Sequence, residues 1–144
     1  MMEERTIQIL ETTFAEVKSV QDTAAALFYE RLFVHDPSLR RMFTSTDMGA
    51  QGRKLMAALA FTVGALRKLD ALVPVLRNLG VMHVPYGVER KHYATVGAAL
   101  IETLALYFGD RFTQEVRAAW SEAYALVAKV MTTAAYGEDE AAPA

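Results

Sequence analysis

The chain has 144 residues, no cysteine, 53 % hydrophobic and 22 % charged residues, and a formal net charge of -2. A chain of this length buries roughly 68 to 70 % of its unfolded surface, enough for one compact core without disulfides or a structural metal, with no room for a second catalytic domain. The missing cysteines exclude disulfide scaffolds, thiolate zinc sites, iron–sulfur ligation and thiol nucleophiles, and the near-neutral charge argues against a nucleic-acid surface.

In chain order, Met1-Met2-Glu3-Glu4-Arg5 is no signal peptide. From Glu4 to about Ser19, Ile7, Leu10, Phe14 and Val17 recur at helical spacing and predict a first amphipathic helix. Ser19, with Asp22 three residues on, resembles a capping box and predicts a second helix carrying Ala25, Phe28, Leu32 and Phe33 to about Val34. Asp36-Pro37-Ser38 places an N-cap acid before a proline and starts a short helical turn ending near Phe43, followed by the polar loop Thr44-Ser45-Thr46-Asp47. A long helix is expected from about Met48 to Leu69, with Gln51, Leu55, Ala58, Leu59 and Thr62 inward. Its most apolar run, Leu55 to Leu66, is too short to span a bilayer, so a cytoplasmic protein is expected.

Asp70 is expected to break that helix and cap the next, with Pro74 in its first turn and the stripe Leu72, Leu76, Leu79, His83. It stops at Val84-Pro85-Tyr86-Gly87. Two long helices, about Val88 to Phe108 and Thr113 to Tyr136, are divided by Gly109-Asp110; Gly137 ends the last, and Glu138 to Ala144 is expected to be a disordered tail. No β-period, internal repeat or Gly-rich phosphate loop occurs, so the fold class is all-α.

Function then turns on which polar side chains point inward. His83 continues the stripe Leu72, Leu76, Leu79 in phase, as a satisfied core or helix-end histidine or as a ligand to something held in the core. Tyr29 lies between Ala25 and Leu32, as a core ring with its hydroxyl bonded to backbone or as a donor into a site; Gln51, near a helix start, is either solvated or part of that site. His35, His83 and His92 are the only histidines and show no His-x-x-x-His spacing, and no Gly-x-Ser-x-Gly elbow occurs. Neither a zinc site nor a serine triad is supported.

The order of features carries a family resemblance. Leu27-Phe28-Tyr29-Glu30-Arg31-Leu32-Phe33, then Asp36-Pro37-Ser38-Leu39 and Phe43, resembles the second and third helices of a bacterial globin of the flavohaemoglobin type. His83-Val84-Pro85-Tyr86-Gly87-Val88, His92-Tyr93-Ala94-Thr95-Val96-Gly97 and Ala119-Trp120 with Ala123-Tyr124 are similar to the same family in order and spacing. Gln51-Gly52-Arg53-Lys54-Leu55-Met56 is similar to bacterial and neuroglobin-like members. The resemblance covers about residues 4 to 136 and implies one domain over 1 to 144: a three-over-three helical sandwich enclosing a b-type haem. It implies that His83 is the proximal iron ligand, that Phe43 wedges the macrocycle, and that Tyr29 and Gln51 donate hydrogen bonds to the bound gas. Phe28, Leu55, Leu59, Leu79, Val88, Tyr93 and Val96 would contact the haem, and Met82 would pack beside it. Lys54, Arg53, Arg90 and His92 either meet the haem propionates or are solvated.

Two departures from the flavohaemoglobin pattern bear on function. Those proteins carry flavin and nicotinamide domains after the globin, whereas this sequence stops at Ala144, so reductant would come from a separate reductase or a small molecule. Their proximal histidine is supported by a tyrosine and a glutamate; Tyr93 matches the tyrosine, but the glutamate position is Ala135, which weakens the electron push. The resemblance therefore implies tight, reversible binding of O2, with NO and CO as further ligands. The alternative is nitric oxide dioxygenation to nitrate, and a third reading is a helical interaction module without haem.

Overall fold

The computed structural model describes residues 2–137, so the tail expected from Glu138 lies outside the described residues. The helices are α1 (Glu4–Ser19), α2 (Gln21–His35), α3 (Met48–Gly64), α4 (Leu69–His83), α5 (Arg90–Phe108) and α6 (Gln114–Tyr136); short 3-10 turns occupy Pro37–Phe43, Val84–Tyr86 and Gly109–Arg111. No strand occurs among the described residues, as the all-α expectation required, and no helix there is long and apolar enough to cross a membrane.

Local chemistry explains most boundaries. The Asp36 carboxylate accepts from the Ser38 backbone N–H, with Pro37 supplying the fixed φ of a first helical position. Asp47 caps α3 by accepting from the Ala50 N–H, and the Thr113 hydroxyl caps α6 by accepting from the Val116 N–H. Gly137 closes α6 at a φ of 85°, a left-handed conformation open to glycine.

Three expectations need correction. The Ser19 hydroxyl donates to the Glu16 carbonyl and so finishes α1, leaving α2 to start at Gln21 without a side-chain cap. The long third helix stops at Gly64, because the Ala65 N–H turns to the Phe61 and Thr62 carbonyls and the Lys68 N–H to that of Ala65. Ala65 and Leu66 are buried within that turn, which is why apolar spacing continued through it. Helix α4 begins one residue before Asp70, so Pro74 sits inside it beyond the first turn, and the Asp70 carbonyl has no N–H at Pro74 to accept from.

Helix α4 packs along α6, α2 along α5 and α3, α5 along α6, and α1 across α3 and α6. Leu10, Leu72 and Leu76 are fully enclosed, and Trp120 reaches across the core to donate its indole N–H to the Thr13 hydroxyl at 2.9 Å. That hydroxyl spends its own proton on the Ile9 carbonyl, so the buried indole N–H and the half-buried hydroxyl are both satisfied. Exposed ion pairs, Arg5 with Glu115 and Arg111 with Glu16, tie α1 to the start of α6 and the turn before it. Being water-exposed and salt-screened, they orient more than they stabilise. Helices α3 and α4, adjacent in sequence, are not among the closely packed pairs; α3 carries Gln51 and α4 carries His83, while Tyr29 lies on α2 and His92, Tyr93 and Val96 on α5.

Candidate functional site

On α4, Leu72 and Leu76 face α6, and His83 comes at the helix's last turn, half-buried. His83 Nδ1 lies 2.6 Å from the Leu79 carbonyl oxygen. A carbonyl can only accept, so Nδ1 carries a proton, which leaves Nε2 as the ring nitrogen able to offer a lone pair. One backbone hydrogen bond thus fixes both the tautomer and the ring orientation that an iron ligand needs.

Tyr29, on α2, is 8 % exposed and sits in an aromatic cluster. Its ring centroid is 4.9 Å from Phe28 and 5.6 Å from Phe43, both edge-on, and Phe43 stands 5.5 Å from Phe33. Gln51, from the first turns of α3, donates its Nε2–H to Tyr29 Oη at 3.3 Å. The amide uses a lone pair of the phenol, which leaves the phenol's own proton free to donate elsewhere. Burial raises the Tyr29 pKa above the ordinary 10.0, and the amide donation only partly opposes it, so the phenol remains an O–H donor at neutral pH. Two residues expected to act together are therefore in direct contact, 22 positions apart.

Leu55 and Leu59 follow Gln51 at successive turns of α3, half-buried, and line a small enclosed apolar cavity with Phe28, Leu100 and Trp120. Leu79, Val88 and Val96 are likewise half-buried. Lys54 is exposed, and Met82, 52 % exposed, turns outward, where its sulfur accepts from Asn78 Nδ2. Met82 was expected to pack beside the ligand. It lies two residues from the buried Gly80, on the opposite side of the helix.

His92 is 7 % exposed, and its Nδ1 accepts the Glu89 backbone N–H at 2.9 Å, capping α5. The second half-predicted histidine thus holds the opposite tautomer to His83 and is committed to the corner that follows it. Tyr93 Oη is buried with no hydrogen-bond partner, whereas its backbone carbonyl accepts from Tyr124 Oη at 2.6 Å. Tyr136 Oη donates to the Val88 carbonyl, tying the end of α6 to the loop beyond His83. Sequence reasoning missed these tyrosine anchors, whose partners are backbone atoms without a side-chain signature.

Among the described residues no three His, Asp or Glu side chains converge as a free metal ion would require. The donor set is one oriented imidazole, half-buried aliphatic side chains, a buried phenol and amide, and one orphaned tyrosine hydroxyl. It suits a metal carried inside a flat, apolar prosthetic group that needs a single protein ligand.

Comparison with known proteins gives the same direction. The family described as Globin matches residues 26–131. The chain is 32 % identical over 132 residues to the Flavohemoprotein of Vibrio cholerae, covering 90 % of this chain and 34 % of that relative. It is 28 % identical over 130 residues to the Flavohemoprotein of Bacillus subtilis, covering 89 % of this chain and 33 % of the relative. The Flavohemoprotein of Bacillus thuringiensis subsp. konkukian is 31 % identical over 130 residues, with 89 % and 32 % covered. The chain spans about one third of the length of these curated relatives.

Proposed function

The chain belongs to the globin family, and on that premise we propose that it binds dioxygen reversibly and tightly, with His83 as the iron ligand and Tyr29 with Gln51 receiving the gas. Its fold is the all-α globin fold, its cofactor is haem b, and haem-based gas binding is the activity the family supports. When bound, the haem would supply an iron atom able to bind a diatomic gas.

The rest is the work of the chain's own side chains. His83 offers Nε2, its ring held by the Leu79 carbonyl. Phe43, Leu55, Leu79, Val88 and Val96 would supply apolar surface for the macrocycle, with Phe28 and Tyr93 adding aromatic surface, while Lys54, exposed, has the charge to meet a propionate. Tyr29 keeps a neutral O–H in a dry aromatic setting, where a hydrogen bond to a polarised gas molecule is stronger than in water. Gln51 orients that phenol and adds a second polar group.

The observation that carries this reading is the Gln51–Tyr29 hydrogen bond, because it leaves the phenol proton uncommitted and aimed by a neighbour. A second observation favours binding over turnover: His83 Nδ1 donates to a backbone carbonyl, and position 135 is alanine. A neutral carbonyl makes the imidazole less electron-rich than a carboxylate would. Nitric oxide dioxygenation, with a separate reductase as partner, is the competing activity. The experiment is aerobic NO consumption with NADH and a flavin reductase. A carrier consumes about one equivalent per haem and stops; sustained consumption that collapses in Tyr29→Phe would move the assignment to the enzyme.

A further inference from the structure

Helix α4 carries one residue out of keeping with its apolar stripe. Leu72, Leu76 and Gly80 follow at four-residue steps, all buried on the face against α6. A glycine in a helix interior lowers stability by roughly 1 kcal/mol relative to alanine, so a buried one invites a steric reason. The structure gives one. A Cβ at Gly80 would stand 2.8 Å from Met131 Cα and 2.9 Å from Met131 C, and closer still to the Met131 carbonyl oxygen. All three are backbone atoms of α6, so no side-chain rotation could relieve the contact. Ordinary contact begins near 3.4 Å.

We propose that Gly80 is the positioning residue for the iron ligand: the backbone-to-backbone seat of Gly80 on Met131 sets how deep α4 lies, and so where His83 presents Nε2. His83 is three residues on, less than one helical turn, so the two positions move as one rigid piece. The His83 ring cannot compensate independently, because Nδ1 is tied to the Leu79 carbonyl of the same helix. Placing a methyl group at position 80 lifts α4 off α6 by roughly 0.5 to 1 Å, since packed helices respond to overfilling by backbone shift. The inference rests on His83 being the haem ligand and adds what holds that ligand at its working height.

The test compares Gly80→Ala with Gly64→Ala, a control at which the added methyl meets nothing within 4 Å. In the haem-loaded ferrous protein, Gly80→Ala shifts the iron–imidazole stretching band in resonance Raman spectra and speeds haem release roughly 10- to 100-fold, the range for displaced outer-shell supports. Gly64→Ala changes neither. The decisive arm repeats the pair in a His83→Gly background with free imidazole supplied as ligand. That imidazole is not tethered to α4, so Gly80→Ala no longer moves the band. A shift that persists there, an unshifted band in the tethered protein, or a Gly80→Ala chain unfolded without denaturant would each overturn the proposal. Failure of the underlying ligand assignment reads differently, as a band that His83→Gly leaves in place without imidazole.

Discussion

Replacing Tyr29 by phenylalanine removes one oxygen from the centre of the site and little else. The ring keeps its edge-on contacts with Phe28 at 4.9 Å and Phe43 at 5.6 Å, so no cavity opens. Gln51 loses its acceptor, but at 3.3 Å that bond is at the long end of the useful range, and the half-buried amide can turn to water. Fold stability should therefore change by no more than about 0.5 to 1 kcal/mol. The bound gas loses a hydrogen bond to a partly charged acceptor, worth roughly 1.5 to 3 kcal/mol, or about ten-fold to more than a hundred-fold in an equilibrium constant. Because the donor acts only on the bound state, the change falls on dissociation. Stopped-flow displacement of O2 by CO should show release at least about ten-fold faster in Tyr29→Phe, with the urea midpoint nearly unmoved. An unchanged release rate would refute the assignment of the phenol proton to the ligand, however the fold responds.

Other perturbations test the frame around that site. Tyr93→Phe deletes a buried hydroxyl that has no partner, so the apo-protein should gain about 1 kcal/mol in urea unfolding, and a loss would show that the hydroxyl is satisfied after all. Gly52→Ala places a methyl 2.9 Å from Ala25 Cβ at the crossing of α2 and α3, and should lower stability by about 1 to 3 kcal/mol. Gly64→Ala, in open space, should raise it by about 0.4 to 1 kcal/mol, and equal effects at the two glycines would contradict the packing argument. Burial raises the Tyr93 pKa to about 12, with Tyr136 adding to the shift, and burial raises Tyr29 and Tyr124 as well. Their folded forms hold protons that the unfolded chain releases near pH 10, so stability should be intact below pH 10 and fall as pH rises towards 12. Urea midpoints should fall across that window as tyrosinate absorbance rises, and less steeply in Tyr93→Phe.

Helical spacing made the architecture legible from Ile7, Leu10, Phe14 and Val17 through to Trp120 and Tyr136, because buried faces repeat every 3.6 residues. It could not show that α3 stops at Gly64, since Ala65 and Leu66 are buried without being helical. Nor could it separate the two corner histidines. In both His83 and His92 it is Nδ1 that meets a backbone group, but that group is a carbonyl for His83 and an N–H for His92, so the two rings hold opposite tautomers. The Tyr29–Gln51 contact joins helices 22 positions apart, so periodicity marks each as inward without pairing them; the family resemblance supplied the pairing. Nor did it single out Gly80, whose lack of a side chain is explained only by the α6 backbone at Met131.

The most direct test of the account is a titration of haemin into the apo-protein, followed by the Soret band and by the thermal midpoint, for the native chain and for His83→Ala. Saturation at one haem per chain, a sharp Soret band for the ferrous CO form and a higher midpoint on loading are expected for the native chain. In His83→Ala all three should be lost and then restored by free imidazole. No Soret band in the native chain, or an unchanged ferrous CO spectrum in His83→Ala, would contradict it.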